Sequence, residues 1–214
     1  MPLFDVQQNF LRAFKTVGLP KCVKVDNGRP LADPQRQTVP VLALWLLALG
    51  IEVVFNRPRT PQDNAKVERA QGVLSNWTEW RKCSDRFALQ IRLWEEADCH
   101  NIHYRVSRLG LKTRAEVFPD LLRSPRLFDP EDFDPQRAID FVAKGSWERD
   151  VSKQGQFTFW GQRLQAGIKY AHQRISLKLN PKTNRWEAFS KDGSLITTFH
   201  SNITAHNLWN LNLS

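Results

Sequence analysis

Two short stretches decide the reading of this chain: Val25-Asp26-Asn27-Gly28-Arg29-Pro30, and further on Arg57-Pro58-Arg59-Thr60-Pro61-Gln62-Asp63-Asn64-Ala65-Lys66-Val67-Glu68-Arg69. The first closes Lys21-Cys22-Val23-Lys24-Val25, a short, alternating and partly β-branched run that predicts a strand ending at Asp26-Asn27-Gly28. A carboxylate there sits at the carboxyl edge of a sheet, where α/β proteins place ligands. The second is a Pro-rich loop leading to Asn64, a suitable N-cap, and to a helix that continues to about Lys82. Glu68 then lies one turn into a helix, where the dipole and the loop arginines Arg57 and Arg59 favour bound anions. Asn64, Gln71, Gly72 and Ser75 predict a small, polar face open to a phosphate backbone, whereas Val67, Ala70, Leu74 and Trp77 predict a core face. Oxygen ligands of this type suit Mg²⁺ or Mn²⁺. Taken singly, Asp-Asn-Gly is a common turn and a helical Glu is a solvated side chain; the pairing and the pattern between them change the reading.

Outward from these stretches the pattern alternates helix and strand. Asp5 to Val17 has helical apolar spacing and is stopped by Gly18-Leu19-Pro20. Val39 to Leu49 is apolar nearly all round, which predicts a buried helix closed by Gly50, and Ile51 to Phe55 predicts a second strand. Ser84 starts a further helix with Phe87, Ile91, Trp94 and Asp98 roughly in line. The segment 118–144 is acidic and Pro-rich and reads as a linker with one short helix over 135–143. Beyond Gly145, five strands are predicted at 146–152, 155–160, 173–179, 185–189 and 194–199, with a hairpin signal at Asp192-Gly193, and so a small barrel. The predicted organisation is an α/β block over 1–117, the linker 118–144, the β-domain 145–201 and a tail 202–214. Trp45, Trp77 and Trp94 at helical apolar positions, and Trp147, Trp160 and Trp186 in strands, are all expected as core.

Composition narrows the class. The chain of 214 residues is 41% hydrophobic and 25% charged, as in a globular protein. Its longest apolar run, Val39 to Gly50, is far short of the roughly 20 residues a membrane span needs. The opening residues lack a signal-peptide layout, and the three cysteines form no C-x-x-C pair, so reduced thiols in a cytoplasmic protein are expected. Cys99, His100 and His103 lack a fourth ligand at zinc spacing. The net charge of +9 favours a polyanionic partner, most often nucleic acid. Its blocks are +2 over 1–55, +5 over 56–115, −4 over 116–143 and +7 over 144–191.

In sequence the two stretches, with Trp45 to Val53 (W-L-L-A-L-G-I-E-V) between them, closely resemble the retroviral-type integrase core shared by many bacterial insertion-sequence DDE transposases. The resemblance covers residues 1 to about 120. It implies a partial RNase H-like α/β fold in which Asp26 and Glu68 are the second and third catalytic acids and ligands of Mg²⁺ or Mn²⁺. It also implies a C-terminal SH3-like barrel that binds DNA non-specifically. His100 to Arg105 and Thr113 to Phe118 look like the segment that follows the catalytic helix. There Arg105-Val106-Ser107 replaces the usual Arg-Pro-His, and Thr113-Arg114-Ala115-Glu116 the usual Thr-Pro-Ala-Glu. The family's first aspartate and opening strands have no counterpart before Asp26, where only Asp5 precedes it. The expectation is therefore a chain that does not cleave or join DNA alone, and that self-associates or assembles with transposase subunits through faces left bare. The expected DNA-binding residues are Arg57, Arg59, Asn64, Lys66 and Arg69 in the core and Lys153, Arg163, Lys169, Arg174, Lys178, Lys182 and Arg185 in the barrel. A non-enzymatic DNA-binding module or regulator is the alternative reading, and a small nuclease working with two acids is a third.

Overall fold

The computed structural model describes residues 2–26, 28, 30–32, 38–57 and 59–213. In chain order the helices and strands are α1 (Leu3–Val17), β1 (Cys22–Val25), α2 (Val41–Ala48), β2 (Glu52–Phe55), α3 (Ala65–Thr78), α4 (Arg86–Asp98), α5 (Arg114–Val117), α6 (Pro135–Ala143), β3 (Trp147–Asp150), β4 (Gln156–Phe159), β5 (Gln162–Gln165), β6 (Arg174–Asn180), β7 (Arg185–Phe189), β8 (Leu195–His200) and α7 (Ala205–Trp209). The fold is mixed α/β. Its contacts divide it into two compact units, one of residues 1–10, 21–55 and 129–214 and the other of 11–20 and 56–128.

The first unit is organised by α2. Its sequence VLALWLLA has no polar face, so one neighbour cannot cover it. Leu42, Ala43, Leu44, Trp45, Leu46 and Ala48 are all buried. The helix ends in a Schellman motif: Gly50 N–H donates to Leu47 O (2.8 Å) and Ile51 N–H to Leu46 O (3.0 Å), with Gly50 at φ +68°. This close turns the chain into β2, which pairs in parallel with β1 in the register Val23 to Val53 and Val25 to Phe55. On other sides α2 meets α6 and α7. Asp134 caps α6 by accepting from Gln136 N–H, Pro135 opens it, and Ala138, Ile139 and Val142 are buried. Asp134 N–H (3.0 Å) and Arg137 Nη1 (3.2 Å) both donate to Ala48 O, satisfying an orphan carbonyl at the end of α2. From α7, Trp209 packs edge-on to Trp45 (6.4 Å) and Phe133 (5.0 Å), and its carbonyl accepts from Gln7 Nε2 (2.7 Å).

Most of the segment expected as a linker, and the segment expected as a tail, therefore contribute to this core. Ala138, Ile139, Val142, Ile203 and Leu208 join Leu44 and Ala48 in one buried cluster with the C-terminal strands. Proline and aspartate richness in 118–144 reflects capped helical turns as well as loops: Asp129, Asp134, Pro130 and Pro135 all stand at helix starts.

The C-terminal strands form an antiparallel sheet in the order β3-β6-β7-β8, with β4 and β5 as a separate hairpin. Sheet and hairpin share an aromatic core, in which Phe159 stands edge-on to Trp186 (4.7 Å) and Phe157 to Phe199 (6.1 Å). The strand β5 has no counterpart in the five predicted strands. Gln162-Arg163-Leu164-Gln165 is mostly polar, and it turns back on β4 through Trp160 (φ +46°) and Gly161 (φ +77°) without an Asn-Gly signal. Gly155 is fixed by crowding: at φ +75°, a Cβ there would stand 2.4 Å from the Gly167 carbonyl carbon.

The second unit is helical. α3 packs on α4, and α5 is fixed by a capping box between Thr113 and Glu116. Trp77 lies 5.3 Å from Tyr104 and 5.9 Å from His100, whose carbonyl takes Arg114 Nη1 (2.6 Å). Leu19 is pinned between Arg126 O and Ser124 Oγ, and Phe14 sits beside Phe128. Two expectations are corrected here. Val67 is 54% exposed and Trp94 57% exposed, so neither is core; in this unit α3 and α4 cover one another and leave their far faces to solvent. The predicted helix to Lys82 also breaks early, at Glu79 (φ +47°). No described helix is long and apolar enough to cross a membrane.

Burial of α2 on several sides makes one substitution diagnostic. Leu44→Ala is expected to lower stability by about 2–5 kcal/mol, read from the urea midpoint, because it empties a fully covered site. A loss under about 1 kcal/mol would mean that Leu44 is not enclosed as described.

Candidate functional site

Asp26 follows β1 at the carboxyl end of the parallel pair. Val25 before it is buried and holds the strand end, while Asp26 is exposed and its Oδ1 accepts from Gly28 N–H (3.1 Å). This bond to the backbone two residues on is of the Asx type. Asn27, Arg29 and Pro58 of the quoted stretches lie outside the described residues.

Glu68 is exposed in the first turn of α3, and its N–H donates to Asn64 O (3.1 Å). The loop before it is tied by side chains. Asp63 takes Arg57 through Nε (3.2 Å), Nη2 (2.9 Å) and the Arg57 backbone N–H (3.0 Å). That bond to Asp63 raises the Arg57 pKa further and compensates its charge. Asn64 occupies the N-cap position without capping; its Oδ1 instead accepts from Asn56 Nδ2 (2.8 Å), and Asn56 is buried. Asn64 is thus a clasp across the loop. Arg59 (φ +56°), Lys66 and Arg69 are exposed around Glu68.

Asp26 belongs to the first unit and Glu68 to the second. Each is a solvent-facing oxygen donor, a chemistry that fits a hard divalent cation held by one or two carboxylates together with substrate phosphates. Among the described residues no group of three or more His, Cys, Asp or Glu side chains gathers as a metal cage.

The seven basic residues of the C-terminal strands fall into two environments. On the open face of the sheet, Arg174 is bound by Asp150 (2.9 Å) and Glu148 (3.5 Å), and Lys178 stands in register with Glu187. On the same face Arg185 donates to Thr198 Oγ1 (3.2 Å) and meets His200 Nε2 (3.0 Å). Lys182 is exposed in the turn between β6 and β7. Lys153, Arg163 and Lys169 belong to the hairpin side. Ala166 N–H (2.8 Å) and Gly167 N–H (3.1 Å) donate to Gly155 O, so the turn carrying Lys153 is bonded to the one leading to Lys169. Lys169 Nζ lies 4.7 Å from the Tyr170 ring centroid, and Arg163 is exposed in register with Thr158. None of these three has an acidic partner among the described residues. Arg149, which the sequence reading passed over, places its guanidinium 4.8 Å from the Phe159 ring, and burial lowers its pKa. The strand alternation Trp147, Arg149, Val151 carries the signal that it points inward.

No protein-family model matches the chain. Among solved structures it is similar to a chain of the simian T-cell lymphotropic virus intasome in complex with the PP2A regulatory subunit B56 gamma, at 19% identity and a TM-score of 0.40. The likeness covers 81% of this chain and 57% of that one, so the present chain spans little more than half of the protein it matches. It is a weak likeness of fold, and no residue role is transferred from it.

The Arg174 pairs make a pH prediction. Arg174, through its hydrogen bonds first and its charge second, holds the Asp150 pKa below the ordinary carboxylate value. A depressed folded pKa stabilises above the unfolded value of about 3.9 and loses that contribution as pH falls through the folded one. Arg174→Ala is expected to return the Asp150 carboxyl titration, followed by ¹³C NMR, to about 3.9. An unchanged midpoint would show that Arg174 does not set it.

Proposed function

We propose that the chain is a DNA-integration protein of the integrase and insertion-sequence transposase type. On this reading β1, α2 and β2 belong to an RNase H-like block, and the C-terminal strands are an SH3-like DNA-binding domain. The observation that carries it is the pair of exposed acids, Asp26 at the carboxyl end of a parallel strand and Glu68 one turn into a helix behind an arginine loop. Asp26 and Glu68 would each offer a carboxylate to Mg²⁺ or Mn²⁺, which supplies phosphate polarisation and orients an attacking oxygen. Asn64, through its clasp on Asn56, holds the loop that carries Arg59, and with Lys66 and Arg69 from the first turns of α3 that arginine would meet phosphate oxygens. Arg57 acts through Asp63 and shapes the loop rather than contributing a free charge. Subunits of the same assembly are the proposed partners besides DNA.

The hairpin cations Lys153, Arg163 and Lys169 also support a second reading, DNA binding without strand transfer, because phosphate binding alone accounts for uncompensated charge on one side of the domain. Both readings share a measurement. For a labelled duplex, log affinity is expected to fall steeply with log salt, each phosphate contact adding about 0.9 to the slope. Lys153→Gln, Arg163→Gln and Lys169→Gln together are expected to flatten that slope by about 3, whereas Arg174→Gln, already neutralised, leaves it within about 0.5. Equal effects of the two variants would refute the assignment of phosphate contacts. The metal reading is tested separately, by Mn²⁺ titration in the presence of DNA. Selective NMR broadening of the amides next to Asp26 and Glu68 is expected, and broadening elsewhere alone would remove both as ligands.

A further inference from the structure

The loop between α4 and α5 carries more cations than its acid can neutralise. From Cys99 to Ala115 the chain has no Asp or Glu, and it has Arg105, Arg108, Lys112 and Arg114. Arg105, Arg108 and Lys112 are exposed, Arg114 is half-buried, and none of the four forms an ion pair among the described residues. Glu116 stands beside two of them. Its Oε2 accepts from the Thr113 N–H (2.6 Å), the bond that chiefly holds its carboxyl below the ordinary value, and the charges of Arg105 and Lys112 add to the effect. One carboxylate against four cations leaves the loop strongly positive.

The loop is closed by its own backbone. Val106 N–H donates to Lys112 O (3.0 Å) and Leu111 N–H to Val106 O (3.1 Å), with Gly110 (φ +67°) and Leu111 (φ +60°) turning the chain between them. Two guanidiniums are fixed through neutral oxygens: Arg105 Nη1 donates to Leu111 O (2.9 Å) and Arg114 Nη1 to His100 O (2.6 Å). A carbonyl orients a guanidinium without cancelling its charge, and it leaves the other N–H groups of the fork for a ligand. Arg57 and Arg174 differ in this respect, since each is bound to a carboxylate. Beside the fixed pair, Tyr104 is 48% exposed, with its ring 5.3 Å from Trp77 and 5.8 Å from the Arg114 guanidinium. Trp77 follows Glu68 by about two and a half turns of α3, on the opposite side of that helix, so this surface is separate from the arginine loop before Glu68.

We propose that the 104–114 loop is a second nucleic-acid site, which takes an unpaired strand: Arg105, Arg108, Lys112 and Arg114 meet backbone phosphates, and the Tyr104 ring takes a base. The planar guanidinium fork matches two phosphate oxygens at once. An acidic peptide would answer the cations equally well but gives the exposed ring no role. Base stacking uses that ring and tolerates any base. In a duplex the bases are already stacked on one another, so Tyr104 adds affinity for a single strand alone. The inference deepens the reading of the chain as a DNA-integration protein and rests on it.

Fluorescence anisotropy of the full chain with a labelled oligothymidylate and with a blunt duplex tests it. Arg108→Gln with Lys112→Gln changes two exposed side chains. This double variant is expected to flatten the fall of log affinity with log salt for the oligothymidylate by about 1.4, at about 0.7 per phosphate contact. Tyr104→Leu, checked for folding by circular dichroism, is expected to weaken the oligothymidylate about fivefold or more and to leave the duplex within about twofold. Loss in the charge variant with none in Tyr104→Leu, or equal losses on strand and duplex, marks a general polyanion surface and overturns the assignment to an unpaired strand. If neither loop variant changes single-strand binding while the Lys153, Arg163 and Lys169 variant weakens it, this site is overturned and the DNA reading stands. A wild-type chain that binds neither oligonucleotide removes both.

Discussion

An eight-residue helix with no polar face must be covered on every side, and the first unit is arranged around that requirement. The hydrophobic gain comes only with removal of each face from water, so α2 needs several partners rather than one. β2, α6 and α7 are those partners, and they come from widely separated parts of the chain. The consequence reaches the candidate site. The helix links β1 to β2 in parallel, and the parallel pair places Asp26 at its carboxyl edge. The same burial draws 129–143 and 203–213 against the C-terminal strands, so that α2, α6 and the sheet share one core.

Much of this was legible because its signals are local. The apolar run, its Gly50 stop, the two flanking strands and the Pro135 helix start appear where the sequence predicts them, within about two residues. What stayed hidden depends on distant partners. Nothing in Ala138, Ile139 and Val142 says that they meet Leu44, so a Pro- and Asp-rich segment reads as a linker although much of it is packed structure. β5 escapes because three of its four residues are polar and its turn, Trp160-Gly161, uses a positive φ at tryptophan. The periodicity of α3 correctly separates two faces, but periodicity cannot say whether the apolar one is covered; Val67 is not. The acids are readable as types and positions, while their surroundings, such as the Asn64 clasp and the Arg57–Asp63 pair, arise only as the loop closes on itself.

Net charge was the coarsest guide. A block charge of +7 over 144–191 treats all cations alike, whereas strand register neutralises some and leaves others. Arg174 meets Asp150 because the two are cross-strand partners, whereas Lys178 only stands in register with Glu187, whose Oε1 accepts from Asn180. The hairpin has no such acids, so its lysines and arginine keep their full field. Alternation along strands, more than the number of basic residues, thus decides which side of the domain can meet a polyanion.

The central claim, that α2 makes one cooperative core with α6 and the C-terminal sheet, is tested most directly by native-state hydrogen exchange. Amides of α2, α6, β6 and β7 are predicted to open with a common free energy that responds alike to low denaturant, as one folding unit. A sheet that keeps its full protection while α2 exchanges through a separate, lower-energy opening would contradict it, and would return 129–143 to the role of a linker.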